Sequence, residues 1–156
     1  MFNHEPPNYS CPFCNFFAGK ETDHNQKQDI VYQTKKVTAF IAPTEWFSNL
    51  GHVLVAPNAH HENVYDVPDQ DTAAVYKAVK KIAIAIRDTY NCDGVSTRQH
   101  NEPAGDQDLW HFHVHVYPRY KDDNLYLNHE KRGFIDAKAR APYAKRLREY
   151  FAKHID

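Results

Sequence analysis

Three histidines alternate with apolar residues in Trp110-His111-Phe112-His113-Val114-His115-Val116-Tyr117. In a β-strand alternate side chains share a face. His111, His113 and His115 would then point one way, and Phe112, Val114 and Val116 the other way, into a core. Same-face neighbours on a strand stand roughly 6.5–7 Å apart. Such a row of imidazoles offers nucleophiles, donors and metal ligands in one plane. Imidazole also changes charge near neutral pH, which suits work on phosphate. Two chemistries compete: all three rings hold one metal, or one neutral ring attacks phosphorus while its neighbours hold the phosphate oxygens.

A second group lies near the start of the chain. Cys11-Pro12-Phe13-Cys14 has the spacing that brings two thiolates onto one metal. A redox pair is the alternative, but the βαβ context of such pairs is missing. Tetrahedral zinc would need two further ligands. Cys92 has no partner in the sequence and reads as a buried apolar residue.

These residues need a frame. The pattern predicts one domain over residues 1–156, with a flexible N-terminus at 1–10 and a C-terminal extension at 121–156. Phe16 to Gly19 reads as a short apolar helical turn closed by glycine. Strands are expected at 30–34 and 37–41, joined tightly at Lys35-Lys36, and at 51–56, stopped by Pro57. Residues 43–50 read as a loop carrying Trp46 and Phe47. The strongest helix spans 69–90: Val75, Val79, Ile82 and Ile86 recur at helical spacing, and Asp69 or Asp71 can cap it. A strand at 95–100, a polar loop at 101–108 and the histidine strand at 111–117, ended by Pro118, follow. A helix at 137–153 closes the chain, with Pro142 splitting or starting it. One long helix between strands, without repeated βα units, indicates an α+β fold with an antiparallel sheet.

Composition narrows the classes. Nineteen basic residues against 20 acidic ones leave a net charge of −1, which argues against strong nucleic-acid binding. No apolar run approaches the roughly 20 residues of a membrane span. The polar, proline-bearing first ten residues do not read as a signal peptide. Three cysteines, two of them spaced for a metal, suit a reducing cytoplasm better than a disulfide scaffold.

With its flanks, the histidine row resembles the histidine triad (HIT) superfamily of nucleotide hydrolases and transferases. The resemblance is carried by His111-Phe112-His113-Val114-His115-Val116-Tyr117 and by Gly51-His52-Val53-Leu54-Val55-Ala56-Pro57 with His60 after it. Asn101-Glu102-Pro103-Ala104-Gly105 with Gln107, then Pro118-Arg119, extend it, and the cysteine pair matches the zinc-bearing branch. The likeness runs from about Cys11 to Tyr120. It implies an antiparallel HIT-like sheet, a homodimer, and cleavage or exchange at the α-phosphorus of a nucleotide. By position, His113 is the nucleophile that forms a nucleotidyl-histidine, His115 binds the phosphate region and His52 completes the histidine set. Asn101, Gln107 and Phe40 are the implied substrate-binding residues, with His100 competing for the place of Asn101 because Asp106 separates Gly105 from Gln107. Cys11, Cys14, His60 and His111 are the implied ligands of a structural zinc, with His61 the rival of His60.

The pattern is broken at Ala42, where many relatives carry an acidic residue that receives the ribose hydroxyls. Glu45 is a candidate substitute, and Trp46 or Phe47 is either a stacking platform for a base or ordinary core. The charged tail, which includes Lys131 and Arg132, reads as a solvated amphipathic helix; the alternative is that it closes over the leaving group or binds an anionic substrate. His115, where the transferase branch usually has Gln, favours hydrolysis; a transferase, a nucleotide-binding scaffold and a three-histidine metal enzyme are the alternatives.

Overall fold

The strands predicted by apolar alternation pair in the computed structural model, which describes residues 2–154 apart from the side chain of His129. In chain order the elements are α1 (Pro12–Phe17), β1 (Ile30–Gln33), β2 (Val37–Ile41), β3 (Thr44–Trp46), β4 (Val53–Pro57) and α2 (Asp69–Tyr90). Then come β5 (Gly94–Gln99), β6 (Val114–Arg119), β7 (Arg132–Phe134) and α3 (Ala137–Lys153). Five strands form an antiparallel sheet in the order β1-β2-β4-β6-β5. The fold is α+β, as the sequence indicates.

Strand alternation divides the sheet into two working faces. Val37, Ala39, Ile41, Val53, Val55, Val114 and Val116 face the core with Val75, Val79, Ile82 and Ile86 of α2 and with Ala144 and Leu147 of α3. Phe40, Leu54 and Ala56 point the other way, where Phe13 and Phe16 of α1 cover part of the sheet. The remainder of that face carries the histidines.

The structure departs from the sequence reading at identifiable places. The histidine strand begins at Val114, not His111. Its ladder to β4 stops at Val55↔Val114. Ahead of that pair the N–H of Phe112 donates to His61 O (2.6 Å) and that of His111 to Leu109 O (2.9 Å). Pro118 does not end β6: its carbonyl points away from β5 and accepts from Asn49 Nδ2 at 2.8 Å, so its missing N–H costs no ladder bond. Residues 43–50 are not all loop. β3 pairs with β7 as a separate ribbon, in the register Thr44↔Phe134, Glu45↔Gly133, Trp46↔Arg132. Neither aspartate is the N-cap of α2; that residue is Pro68, and Asp69 and Asp71 sit in the first turn. Acidic groups there still favour the helix through its dipole. Residues 2–10, read as a loose end, lie along the loop that follows His60. Asn63 Nδ2 donates to Phe2 O (3.1 Å), and the rings of Phe2 and Tyr65 meet edge to face.

The tail is not a solvated helix throughout. α3 starts at the N-cap Asp136, whose side chain accepts from Ala139 N at 2.7 Å, and Pro142 lies inside it. Arg140 is 1% exposed and grips Asp29 with two nitrogens, Nε at 3.1 Å and Nη2 at 2.8 Å. It also donates to the carbonyl of Ile135. Removing one partner of a buried ion pair leaves the other uncompensated, at about 3–5 kcal/mol. Arg140→Ala is therefore expected to lower the melting temperature by roughly 10 °C. The double change Arg140→Met with Asp29→Leu should recover most of that loss. A single variant that melts with the wild type would show that the pair does not hold α3 to the sheet.

Candidate active site

The segment before β6 sets the histidines. His113 Nδ1 lies 2.6 Å from the carbonyl of His111. A carbonyl only accepts, so Nδ1 carries the proton and Nε2 keeps a free lone pair. Burial pushes the His113 imidazole below its usual range, so the ring is neutral at neutral pH. His115, on the same face in β6, lies 4.8 Å from it, ring centre to ring centre. Burial and the neighbouring rings of His113, His52 and His100 hold His115 well below the usual range. The Tyr117 hydroxyl stands 3.1 Å from His115 Nδ1 and His52 Nε2 stands 3.4 Å from it.

His52 is oriented from below. Gly51, just before it, has φ +83°, and a Cβ there would collide with the rings of Tyr143 and Tyr90. Glu45 Oε2 accepts from the N–H of Gly51 (2.8 Å) and of His52 (3.2 Å). The same oxygen is 3.4 Å from His52 Nδ1, close enough for a charge contact but outside hydrogen-bond alignment. Glu45 is 1% exposed, and burial raises its carboxyl above the usual range. It lies beneath His52 and does not line the cavity, so it is not placed as the substitute ribose acceptor.

His52, His113 and His115 line a cavity of about 590 Å³. Ala42, Pro43, Leu54 and Leu109 give it an apolar wall, and Asn25, Thr44, Asp108 and Arg132 its polar groups. That size suits a small organic ligand. Trp46 is both cavity wall and core, packed with Tyr117 and Leu125, while Phe47 is 62% exposed and lies outside the lining.

Three expected substrate-binding residues are placed elsewhere. Phe40 is wholly buried among Phe13, Phe16 and Phe17. Gln107 Oε1 accepts from Glu102 N (2.7 Å), and its Nε2 donates to Glu62 O (2.6 Å) and Leu109 O (3.1 Å). Asn101 Oδ1 accepts from Val64 N and from Gln99 Nε2, both at 2.9 Å. Both amides thus shape the loop that leads to His111. His100 stands nearer the cluster, its ring 5.6 Å from that of His115 and its Nδ1 donating to Gly105 O at 2.7 Å. Sequence reasoning missed Asp108 and the part played by Tyr117, although Tyr117 lies within the histidine motif. Of the charged tail, the structure brings Arg132 to the cavity lining.

Beside this cluster the sequence-expected metal ligands converge. The donor atoms of Cys11, Cys14, His60 and His111 all lie within 4.8 Å of one another. Cys11 Sγ is 3.3 Å and Cys14 Sγ 3.6 Å from His111 Nδ1, and Cys14 Sγ is 3.4 Å from His60 Nδ1. The far nitrogens are already engaged: His111 Nε2 donates to Pro57 O (2.9 Å) and His60 Nε2 meets Glu5 Oε2 (2.9 Å). This leaves the Nδ1 lone pairs directed at the thiols. Burial lowers His111 to about 4, so it stays neutral. Burial and the neighbouring Cys11 sulfur push the Cys14 thiol up to about 12, so two thiolates here need a cation beside them. His61 is turned away, 3.8 Å from Asp71 Oδ2.

Comparison with known proteins gives the family. The HIT domain matches residues 23–122. The chain belongs to the HIT family. The "Protein hit" of Bacillus subtilis is 36% identical over 111 residues, covering 71% of this chain and 72% of that one. An adenosine 5'-monophosphoramidase of Saccharomyces cerevisiae is 31% identical over 113 residues, 70% of this chain and 63% of that one. Among solved structures, a zinc-bound histidine triad protein of Mycobacterium smegmatis superposes with a TM-score of 0.76 at 25% identity, covering 93% of this chain and 95% of that one. Within this HIT fold, Cys11, Cys14 and Arg132 lie outside the matched residues. No helix among the described residues is long and apolar enough to cross a membrane.

Glu45→Ala would strand the buried N–H groups of Gly51 and His52, at about 1–3 kcal/mol each. Urea unfolding is expected to show a loss of about 2–6 kcal/mol. Glu45→Gln, which keeps an oxygen for Gly51, should lose less than half as much. Equal losses in the two variants would show that the acceptor is not what holds this turn.

Proposed function

We propose that the protein is a nucleotide hydrolase that cleaves at the α-phosphate of a nucleotidyl conjugate through a covalent nucleotidyl-His113. One observation carries the reading: the 2.6 Å bond from His113 Nδ1 to the His111 carbonyl, in the wall of the cavity. It leaves Nε2 unprotonated as the attacking atom. The Nε2 lone pair attacks phosphorus, a P–N bond forms, and the bond to the leaving group breaks with its electron pair going to that group. The ring, now substituted at Nε2 and protonated at Nδ1, carries a positive charge that the His111 carbonyl stabilises. Water then attacks phosphorus, the P–N bond breaks, the ring regains its lone pair and one proton leaves to solvent. When the Tyr117 hydroxyl donates to His115 Nδ1, His115 must carry its proton on Nε2 and can offer it to a phosphate oxygen. The hydrolase names of relatives such as the yeast monophosphoramidase support this reaction class.

The four-donor cluster supports zinc as its metal. Zinc–sulfur bonds of about 2.3 Å and zinc–nitrogen bonds of about 2.0 Å put tetrahedral S and N ligands about 3.5 Å apart. Three of the thiol–imidazole separations are 3.3, 3.4 and 3.6 Å. When bound, such an ion would tie α1 to the sheet and supply no reacting atom, because all four positions come from protein. The metal-spaced Cys11–Cys14 pair supports a reducing, cytoplasmic setting.

Mass spectrometry of the intact protein without acid, after brief mixing with adenosine 5'-phosphoramidate, tests both parts. The wild type is expected to show one zinc per chain and a transient adduct of one adenylyl group. His113→Ala should keep the zinc and lose the adduct. An adduct in that variant would contradict the nucleophile, and a wild type without zinc would contradict the metal.

A further inference from the structure

Among the described residues, Arg132 is the only lysine or arginine whose side chain lines the cavity. It comes from β7, beyond the residues that the HIT domain matches. The β3–β7 register sets Arg132 opposite Trp46, which is buried against Tyr117 and Leu125 and anchors the ribbon to the sheet. At the ribbon's other end the ring of Phe134 lies 4.7 Å from that of His24, which also lines the cavity. Arg132 is therefore carried over the cavity by a strand held on both sides. A second guanidinium, Arg98, lies opposite His115 in the β5–β6 register and 6.0 Å over the ring of Trp46. Two arginines thus flank this wall of the site.

Within the site Arg132 has a weak partner. Its Nη1 stands 3.6 Å from Asp108 Oδ2, with side chains 40% and 66% exposed. An exposed pair at that separation contributes little and is screened by salt. A guanidinium presents a fork that matches two oxygens of a phosphate or sulfate, a better partner than one distant carboxylate oxygen. Asp108 belongs to the segment that leads to His113 and lines the same cavity, and its charge acts on the His113 ring.

We infer that Arg132 binds the leaving group, and that the preferred substrates are nucleotide conjugates whose leaving group is itself an anion, such as a phosphate, polyphosphate or sulfate, rather than a neutral amine. The inference rests on the His113 reaction proposed above. An anionic leaving group departs with the electron pair of the cleaved bond and needs no proton. The guanidinium stabilises the charge that grows on it, and Asp108 is the counter-ion that it exchanges for substrate.

Steady-state kinetics of the whole chain tests this, with diadenosine triphosphate and adenosine 5'-phosphosulfate as anionic-leaving substrates and adenosine 5'-phosphoramidate as the reference. The wild type is expected to show higher kcat/KM for at least one anionic-leaving substrate than for the reference. In Arg132→Gln that ratio should fall by about tenfold or more, with thermal melting as the check that the variant is folded. Asp108→Asn should move the KM for the same substrate down. A wild type that prefers the phosphoramidate, or a ratio that Arg132→Gln leaves within about twofold, overturns the inference while leaving the histidine chemistry standing. No turnover of any of the three and no adduct on His113 overturns both.

Discussion

Two main-chain carbonyls assign opposite roles to two histidines that are neighbours but one in sequence. The Pro57 carbonyl takes the Nε2 proton of His111, and the His111 carbonyl takes the Nδ1 proton of His113. The first ring therefore offers Nδ1 toward Cys11 and Cys14, and the second keeps Nε2 free at the cavity. Both carbonyls lie beyond the last pair of the ladder between β4 and β6. That ladder stops at Val55↔Val114, and beyond that edge one imidazole offers Nδ1 to the thiols while the other keeps Nε2 free. Phe112 points into the core between them and fixes both rings to one side.

The rest of the fold holds that edge still. α2 packs on the opposite face and gives β4 and β6 a rigid backing. Glu45 fastens the entry to β4 and keeps His52 beside His115. Gln107 and Asn101 tie down the loop before His111, so the segment enters the site at one height. Arg140 and Asp29 lock α3 against the far edge, which places the C-terminal segment so that β7 can reach back over the cavity. The bonds of Glu45, Gln107 and Arg140 are buried and costly to leave half made. Together they preorganise the rings before a substrate arrives.

The long periodic elements were legible in the sequence because each is decided locally. α2 runs over the residues that its 3.6 spacing marks, and β2 over the short run Val37-Thr38-Ala39-Phe40-Ile41. The triad and the Cys-x-x-Cys pair were legible because residue type and short spacing alone define them. What was not legible depends on distant partners. Thr44-Glu45-Trp46 has no alternation to announce a strand, and it becomes one only because β7 returns to pair with it. Arg140 looks like one charge among many until Asp29 is seen beneath it. The start of β6 was misplaced because alternation continues through His111, while the hydrogen bonds that define a strand do not. Asn101 and Gln107 were set in the substrate site by resemblance, but their amides are used by the loop itself.

The central claim is the pair of opposed tautomers, and long-range proton–nitrogen NMR of the imidazole side chains reads it directly. The account predicts that His113 in the resting protein at neutral pH shows a protonated Nδ1 and a bare Nε2. His111 should show the reverse, a protonated Nε2 with Nδ1 shifted as a metal-bound nitrogen. A His113 protonated on Nε2, or both rings in the same tautomer, would contradict it.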